Sequence, residues 1–279
     1  MARGPRPPDR FAADRTPARA VVATGREPSA AGYAKETGAN FLTPRALDAA
    51  TARTAAAEPH QTFDQQRVWA DLLSSPAMAF NLFGDLAADL RSADRAVRRL
   101  WSDSPGAICD VRFAHSPGRF DPAYLNSLRA FDAAFVLALD DGTQGILAID
   151  TKYHERINRE IPRPENRGRY LEVHHRSGAF TPDALHVIDP EHRTDLCEIW
   201  LEHLLLLSML QHEGGGWSWG RYVVVHPAGN TGVADVCARY RDLLAERSTF
   251  ATLTLEDLLD AKALPAATMT ALRRRYLPR

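Results

Sequence analysis

The sequence predicts an α/β domain in which helices flank both faces of a central mixed sheet of four to five strands. Apolar residues at helical spacing come first, two short apolar runs around a turn follow, and helices then alternate with further strands. The composition is that of a globular protein, because 45% of the 279 residues are apolar and 25% are charged. A chain of this length buries enough surface to fold without disulfides or a structural metal.

Charge and cysteine content exclude several classes of protein. With 34 lysines and arginines against 35 aspartates and glutamates, the chain is not a polycation that binds nucleic acid through its global field. No apolar run approaches the roughly 20 residues of a membrane span, and the first residues lack the apolar segment of a signal peptide. Three cysteines without CxxC spacing fit buried thiols in a reducing compartment. We therefore expect a cytoplasmic protein with no membrane partner, and the oligomeric state stays open.

Residues 1–58 are rich in alanine, arginine and proline and lack sustained apolar periodicity. Nine basic residues stand there against six acidic ones. Such composition favours disorder, so we expect a mildly basic, disordered tail before a single folded domain at 59–279. The tail could help to hold a polyanion, but a solvated tail without a role fits the sequence equally well.

Two predicted helices open the folded domain. Apolar residues recur at helical spacing over 63–73 and again over 78–90. Between them, Ser74-Ser75-Pro76 indicates a helix start, because serine caps free backbone N–H groups and proline fits the first turn.

A hairpin within a group of three strands is predicted next. The first strand is expected at 107–113, and two apolar runs at 131–139 and 145–149 flank the turn sequence Asp140-Asp141-Gly142-Thr143. The nearly continuous apolar character of the two runs indicates central strands that are covered on both faces.

The remaining chain is predicted to alternate between helix and strand. Residues 156–190 show little periodicity, so we expect a long loop or lid there. A strongly apolar helix is expected at 195–211, a strand at 221–226, a helix at 233–246 and a short strand at 250–253. Within the apolar helix, His203 fits a hydrogen-bonded core residue better than a ligand.

Three charged residues at the margins of the hairpin strands are the candidate chemistry. Asp150 and Lys152 are two residues apart, so they point to the same face of a strand, and Asp132 stands at the margin of the preceding strand. A plain ion pair explains Asp150 and Lys152 about as well as a functional site does. However, Lys152 is the only lysine between Glu36 and Ala261, in a chain with 34 basic residues. Because arginine serves a structural ion pair equally well, a lysine here favours a role for a compact ammonium group.

The register of the hairpin decides whether these groups can meet. A two-residue turn would pair Asp132 with Thr151 and point the aspartate away from Asp150 and Lys152. A three-residue turn that ends in Gly142 at positive φ pairs Asp132 with Asp150 instead. The functional interpretation requires this second register, or a bulge of equivalent effect, and we predict it.

These residues resemble the signature of the PD-(D/E)XK nuclease superfamily. An Asp near the start of one strand and an (Asp/Glu)-x-Lys on the next correspond here to Asp132 and to Asp150-Thr151-Lys152. The predicted order of elements is similar to that of the superfamily's restriction-endonuclease-like core. Segments 74–83, 153–155 and 200–206 further resemble a largely uncharacterised bacterial branch, from which Pro76 and Glu198 depart.

The resemblance implies a metal-dependent nuclease that acts on DNA. Asp132, Asp150 and the backbone carbonyl of Thr151 would hold Mg²⁺ or Mn²⁺. Lys152 would orient the attacking water or stabilise the charge that builds on the phosphate. Candidates for supporting roles around the metal ligands are Glu155, Glu198 and Asn81. For both glutamates, a solvated helix face is the favoured structural interpretation.

Two alternatives stay open. A catalytically inactive, nuclease-like module that binds nucleic acid or a protein partner would keep the fold without the chemistry. A serine hydrolase is the weakest alternative: residues 216–220 match GxSxG around Ser218, but the nucleophile elbow needs a strand before the serine and a helix after it.

Arginines in the 156–190 segment are candidates for contacting nucleic acid. The five that we single out are Arg156, Arg159, Arg163, Arg167 and Arg169. Interspersed glutamates dilute their charge, so a solvated lid competes with this interpretation.

Overall fold

The computed structural model describes residue 34 and residues 37–61 and 63–277. Its centre is a single five-stranded sheet in which spatial order follows chain order. The strands are β1 (Ala107–His115), β2 (Phe131–Ala138), β3 (Gln144–Thr151), β4 (Trp217–His226) and β5 (Phe250–Thr254). β2 is antiparallel to both of its neighbours, β1 and β3, whereas β4 is parallel to β3 and β5 is parallel to β4. The predicted mixed sheet of four to five strands is confirmed.

Helices cover both faces of this sheet. In chain order they are α1 (Pro44–Ala55), α2 (Gln65–Trp69), α3 (Ser75–Ala87), α4 (Leu90–Leu100), α5 (Arg167–Ser177), α6 (Ala184–Ile188), α7 (Leu196–Leu210), α8 (Thr231–Asp242), α9 (Leu255–Asp260) and α10 (Ala266–Tyr276). α1–α4, α9 and α10 share one apolar cluster with the sheet, and α5–α8 share the other. Among the described residues, no helix has the length and apolarity needed to cross a membrane.

The central strand β3 shows why its sequence is apolar at every position. Leu147 and Ile149 pack into the cluster on the α3 side of the sheet, and Ile146 and Ala148 pack into the cluster on the α7 side. All four are fully buried. Because successive strand residues point to opposite faces, a strand covered on both sides needs an unbroken apolar run.

The hairpin between β2 and β3 has the predicted three-residue turn. The amide of Leu139 donates to the carbonyl of Thr143 over 3.0 Å, and the amide of Gly142 donates to the carbonyl of Leu139 over 3.1 Å. Gly142 has a φ of 82°, which glycine adopts at low cost. This register sets the relative position of every residue along the hairpin.

The expectation of a disordered tail up to residue 58 is wrong for its last part, whereas residues 1–33, 35 and 36 lie outside the described residues. α1 begins after the N-cap Thr43 and buries Ala46 and Ala50 completely against α3. A Cβ placed on Gly84 of α3 would lie only 2.6 Å from the Cα of Ala46. The alanines and this glycine therefore allow a close contact between two helices, which apolar periodicity does not reveal.

The segment 156–190 is not the long loop that we expected. It contains α5 and α6, which bury Tyr170, Val173 and Ile188 in the α7-side cluster. α5 is mostly polar or charged outside its buried positions, and α6 is only five residues long, so neither shows enough apolar repeats to indicate a helix.

Two further expectations have mixed outcomes. Ser74 caps α3 as predicted, since its side chain accepts a hydrogen bond from the Ala77 amide. Cys197 and Cys237 are buried as expected, but Cys109 is exposed beside the irregularity in β1.

His203 is the core residue that the sequence predicts. It is fully buried on α7, with Nδ1 2.9 Å from the Tyr240 hydroxyl and Nε2 3.0 Å from the Thr249 hydroxyl. Burial lowers the pKa of His203 to about 3, so the ring stays neutral in the folded protein.

The contact between α1 and α3 predicts the effect of Gly84→Ala. The new methyl group would meet the Ala46 backbone, so we expect a loss of about 1–3 kcal/mol in the free energy of unfolding. Gly168→Ala, at a helical glycine with no heavy atom within 4 Å, is the control and should stabilise slightly. Urea unfolding measures both, and a Gly84→Ala variant as stable as the wild type would contradict the close contact.

The buried histidines predict loss of stability in acid. Burial lowers the pKa of His115 and His174 to about 4 and that of His203 to about 3, whereas unfolded histidines titrate near about 6.5. Unfolding therefore takes up protons below that pH, and stability should fall as the pH decreases from about 6.5 to about 4. His203→Gln should show a smaller fall than the wild type. Asp189 raises the pKa of the exposed His192, so His192→Gln should instead show a fall no smaller than that of the wild type. Equal pH dependence of thermal unfolding in His203→Gln and wild type would contradict a neutral buried ring.

Candidate active site

The start of β2 and the end of β3 meet at one edge of the sheet because the two strands are antiparallel. Ala133 pairs with Ile149, and the same register places Asp132 opposite Asp150, as the three-residue turn requires. Burial, followed by the negative charge of Asp150, raises the pKa of Asp132 to about 8. The two carboxylates are therefore neighbours that repel each other when both are ionised.

Thr151 holds the Asp132 carboxylate in place. Oδ2 of Asp132 accepts hydrogen bonds from the Thr151 amide over 2.8 Å and from the Thr151 hydroxyl over 2.6 Å. The same hydroxyl lies 3.0 Å from the Ser75 carbonyl oxygen at the start of α3. Asp132 is partly exposed and lines a surface cavity, so its carboxyl group is accessible from outside.

Lys152 lies between two buried carboxylates. Its Nζ is 2.8 Å from Oδ2 of Asp150 and 2.9 Å from Oε1 of Glu198, and the three side chains are only 10–13% exposed. Burial opposes the charge on Lys152, but the two carboxylates outweigh it and raise the pKa of Lys152 well above its ordinary value. The hydroxyl of Tyr222 also donates to Asp150. The ammonium group is therefore charged and fixed at the edge of the sheet.

Glu198 is not on a solvated helix face, which corrects the expectation from the sequence. It lies in the first turn of α7 with 7% exposure and binds Lys152. The amide of Asn158 donates to its second oxygen, and the Asn158 side-chain amide lies 3.3 Å from the first. The N-terminal end of α7 points at this edge of the sheet, which is why an acidic residue there becomes buried.

Glu155 is also not on a helix. It follows β3 in the chain and accepts hydrogen bonds from the amides of Ser75 over 3.1 Å and Tyr153 over 2.9 Å. Its carboxylate also forms an ion pair of 3.0 Å with Arg67. Although burial favours the protonated form, hydrogen bonds from Ser75 lower the pKa of Glu155. Glu155 therefore fixes the end of β3 to the start of α3 and has no contact with Lys152 in the structure.

Asn81 makes its hydrogen bonds with residues outside the site, so these contacts do not support a role around the metal ligands. Its side chain is buried, accepts from the Leu42 amide, and donates to the Asn40 carbonyl and the Tyr276 hydroxyl. These bonds join the segment before α1 to α10, which explains a polar side chain inside α3.

Sequence reasoning missed two residues near Lys152, namely Arg129 and Glu202. Nη1 of Arg129 is 2.7 Å from Oε1 of Glu202, and Arg129 also pairs with Glu160. Burial raises the pKa of Glu202 to about 7. The charge of Arg129 lowers this pKa, and the charge of Asp150 raises it further. The spacing of Glu198 and Glu202, four residues apart on one helix, could have indicated a shared face. No comparable sequence signal distinguishes Arg129.

The candidate nucleic-acid arginines divide into two groups. Arg169 donates to the Tyr124 carbonyl over 2.7 Å and Arg167 pairs with Glu191, so both contribute to the fold of the α5 region.

The other three arginines face solvent. Arg156, Arg159 and Arg163 are exposed, and the Arg163 guanidinium lies 5.8 Å from the centre of the Phe120 ring. These three could reach a polyanion, and so could Arg167, because its ion pair with Glu191 lies at the surface.

Ser218 does not form a nucleophile elbow. It is the second residue of β4, and its hydroxyl contacts that of Thr143. A serine inside a strand lacks the strand–turn–helix geometry that the elbow requires, so the serine-hydrolase alternative is wrong.

The residues at the sheet edge fit a divalent cation. Among the described residues, no group of three or more His, Cys, Asp or Glu side chains is arranged as a metal site. The neighbouring carboxylates of Asp132 and Asp150 are hard oxygen donors, and their mutual repulsion is the condition that a cation relieves. The backbone carbonyl of Thr151, between Asp150 and Lys152 in the chain, is an oxygen donor of the same chemistry.

Comparison with known proteins places the chain in a family. A family model described as the PD-(D/E)XK nuclease superfamily matches residues 19–278. Comparisons with curated proteins and with solved structures gave no match. Because the family model spans nearly the whole chain and the sheet has the expected order, the chain belongs to the PD-(D/E)XK nuclease superfamily.

Proposed function

We propose that the protein is a metal-dependent nuclease that hydrolyses phosphodiester bonds of DNA at Asp132, Asp150 and Lys152. The observation that supports this most strongly is a charged lysine fixed beside the two carboxylates at one edge of the sheet. Family membership supports the reaction class. The alternative is a nuclease-like module that binds nucleic acid or a partner without cleaving, and the experiments below separate the two.

The metal ligands would be Asp132, Asp150 and the backbone carbonyl of Thr151, with Mg²⁺ or Mn²⁺ as the ion. When bound, such an ion supplies Lewis-acid chemistry, which neutralises charge on the phosphate and makes a bound water more acidic. Thr151 orients Asp132 through two hydrogen bonds, so this carboxylate needs little rearrangement to act as a ligand.

Lys152 would act on the reacting phosphate or on the attacking water. An ammonium group has three N–H donors, and Asp150 and Glu198 engage two of them. The third can donate to a phosphate oxygen or to water. Glu198 is a positioning residue in this scheme, since it holds the ammonium group without touching the substrate.

Removal of the lysine should separate catalysis from metal binding. We expect Lys152→Ala to reduce DNA cleavage by about 10²-fold or more while Mn²⁺ affinity stays close to that of the wild type. Lys152→Arg should not restore cleavage, because a planar guanidinium cannot occupy the same position.

Incubation with single- and double-stranded DNA and RNA, with Mg²⁺ or EDTA, measures the effect of this change. Lys262→Ala removes an exposed lysine and serves as the control. Equal cleavage by Lys152→Ala and the wild type would refute the assignment. DNA binding without cleavage by the wild type would favour the inactive module.

Removal of either aspartate charge should weaken metal binding and abolish cleavage. Asp132→Asn and Asp150→Asn each replace a charged oxygen ligand, so Mn²⁺ affinity by calorimetry should fall by at least about tenfold. Asp140→Asn, at an exposed position in the hairpin turn, is the matched control and should bind as the wild type does. Unchanged affinity in both site variants would place the ion elsewhere.

A further inference from the structure

A small surface cavity opens beside Asp132. Its volume is about 270 Å³, at the lower limit of ligand pockets, so it suits one planar ring system rather than a larger ligand or a duplex. The cavity lies between α2, α3 and the start of β2. Its lining residues include His60, Phe63, Arg67, Arg119, Leu128 and Phe131.

One lining side chain, Leu128, and an aromatic neighbour of the cavity, Phe120, are exposed. Leu128 is 44% exposed and Phe120 is 39% exposed, and both belong to the small set of large apolar side chains left open in the described residues. Phe120 adjoins the cavity because its ring meets that of the lining residue His60 edge-on, with 5.3 Å between the ring centres. The Arg163 guanidinium lies 5.8 Å from the centre of the same Phe120 ring. Exposed rings combined with an arginine are the groups on which unpaired nucleobases stack.

The backbone around the cavity is strained but firmly held. His60, Ala114 and Phe120 all have positive φ, at 61°, 46° and 55°. Arg119 is almost fully buried, pairs with Glu58, and donates to the Ala114 carbonyl over 2.9 Å. Strain of this kind persists where neighbouring contacts enforce it, and it concentrates at binding sites. The wall of the cavity therefore keeps its shape without a bound ligand.

Charge is distributed so that a nucleotide could enter in one orientation. Both arginines of the wall are paired, Arg119 with Glu58 and Arg67 with Glu155, but only Arg67 reaches solvent, with 43% of its side chain exposed against 5% for Arg119. The remaining N–H groups of Arg67 can therefore donate to a phosphate. Asp132, a ligand of the proposed metal site, lines the same cavity. A base held by the apolar wall would thus have its phosphate close to Arg67 and to the cleavage site.

We propose that this cavity binds one unpaired nucleobase next to the phosphate that is cut, and that the protein therefore prefers single-stranded DNA to duplex. The inference rests on the proposed nuclease function. Bases in a duplex are stacked and paired, so only an unpaired or extruded base can enter a cavity of this size.

The test measures binding without cleavage. Fluorescence anisotropy in EDTA would compare a short labelled DNA strand, the same strand with abasic sites, and the matching duplex. We expect the wild type to bind the intact single strand most tightly. Phe120→Ala and Leu128→Ala should weaken that binding by at least about fivefold and leave duplex binding unchanged. Val187→Ala removes an equally exposed side chain on α6 and is the matched control.

Each outcome bears on the inference separately from the function. Loss of affinity in the two variants, together with weak binding of the abasic strand, would support the base-binding cavity even if the wild type cleaves nothing. Unchanged single-strand affinity in both variants, equal affinity for single strand and duplex, or no binding of either would overturn it. Metal-dependent cleavage accompanied by any of these results would leave the nuclease function standing without the cavity.

Discussion

The contact of Lys152 with Asp150 and Glu198 is the interaction on which the arrangement of the site depends. It joins the end of β3 to the first turn of α7, and all three charged groups are nearly buried. Burial of a charge is costly unless a partner of opposite sign compensates it, so removal of Lys152 would leave two buried carboxylates without their counter-charge. The ammonium group is therefore fixed between the end of β3 and the first turn of α7, while the apolar residues of α7 hold that helix on the sheet.

A second layer of charge supports the first. Arg129 forms ion pairs with Glu160 and with Glu202, which follows Glu198 by one turn on α7. The positive charge of Arg129 also acts on Glu198. One oxygen of Glu202 is buried without a hydrogen-bond partner among the described residues, which agrees with the raised pKa of that carboxyl group. Acidic groups outnumber basic ones in this part of the molecule, and a bound cation would reduce that imbalance.

Much of the sheet and the core of the site could be predicted from local sequence. Strands covered on both faces show an unbroken apolar run, and Gly142 fixes a turn whose register places Asp132 opposite Asp150. What escaped prediction depends on tertiary contacts. α1 packs through alanines against a glycine, so it shows no apolar stripe. The burial of Glu198 follows from where α7 meets the sheet, which no local pattern encodes.

The most direct test of this account is the position of a bound ion in a crystal grown with Mn²⁺, located by its anomalous scattering. The account predicts one peak within bonding distance of carboxylate oxygens of both Asp132 and Asp150 and of the Thr151 carbonyl, with Lys152 still in contact with Glu198. A peak bound by other residues, or an Asp132 carboxylate that stays away from the ion, would contradict it.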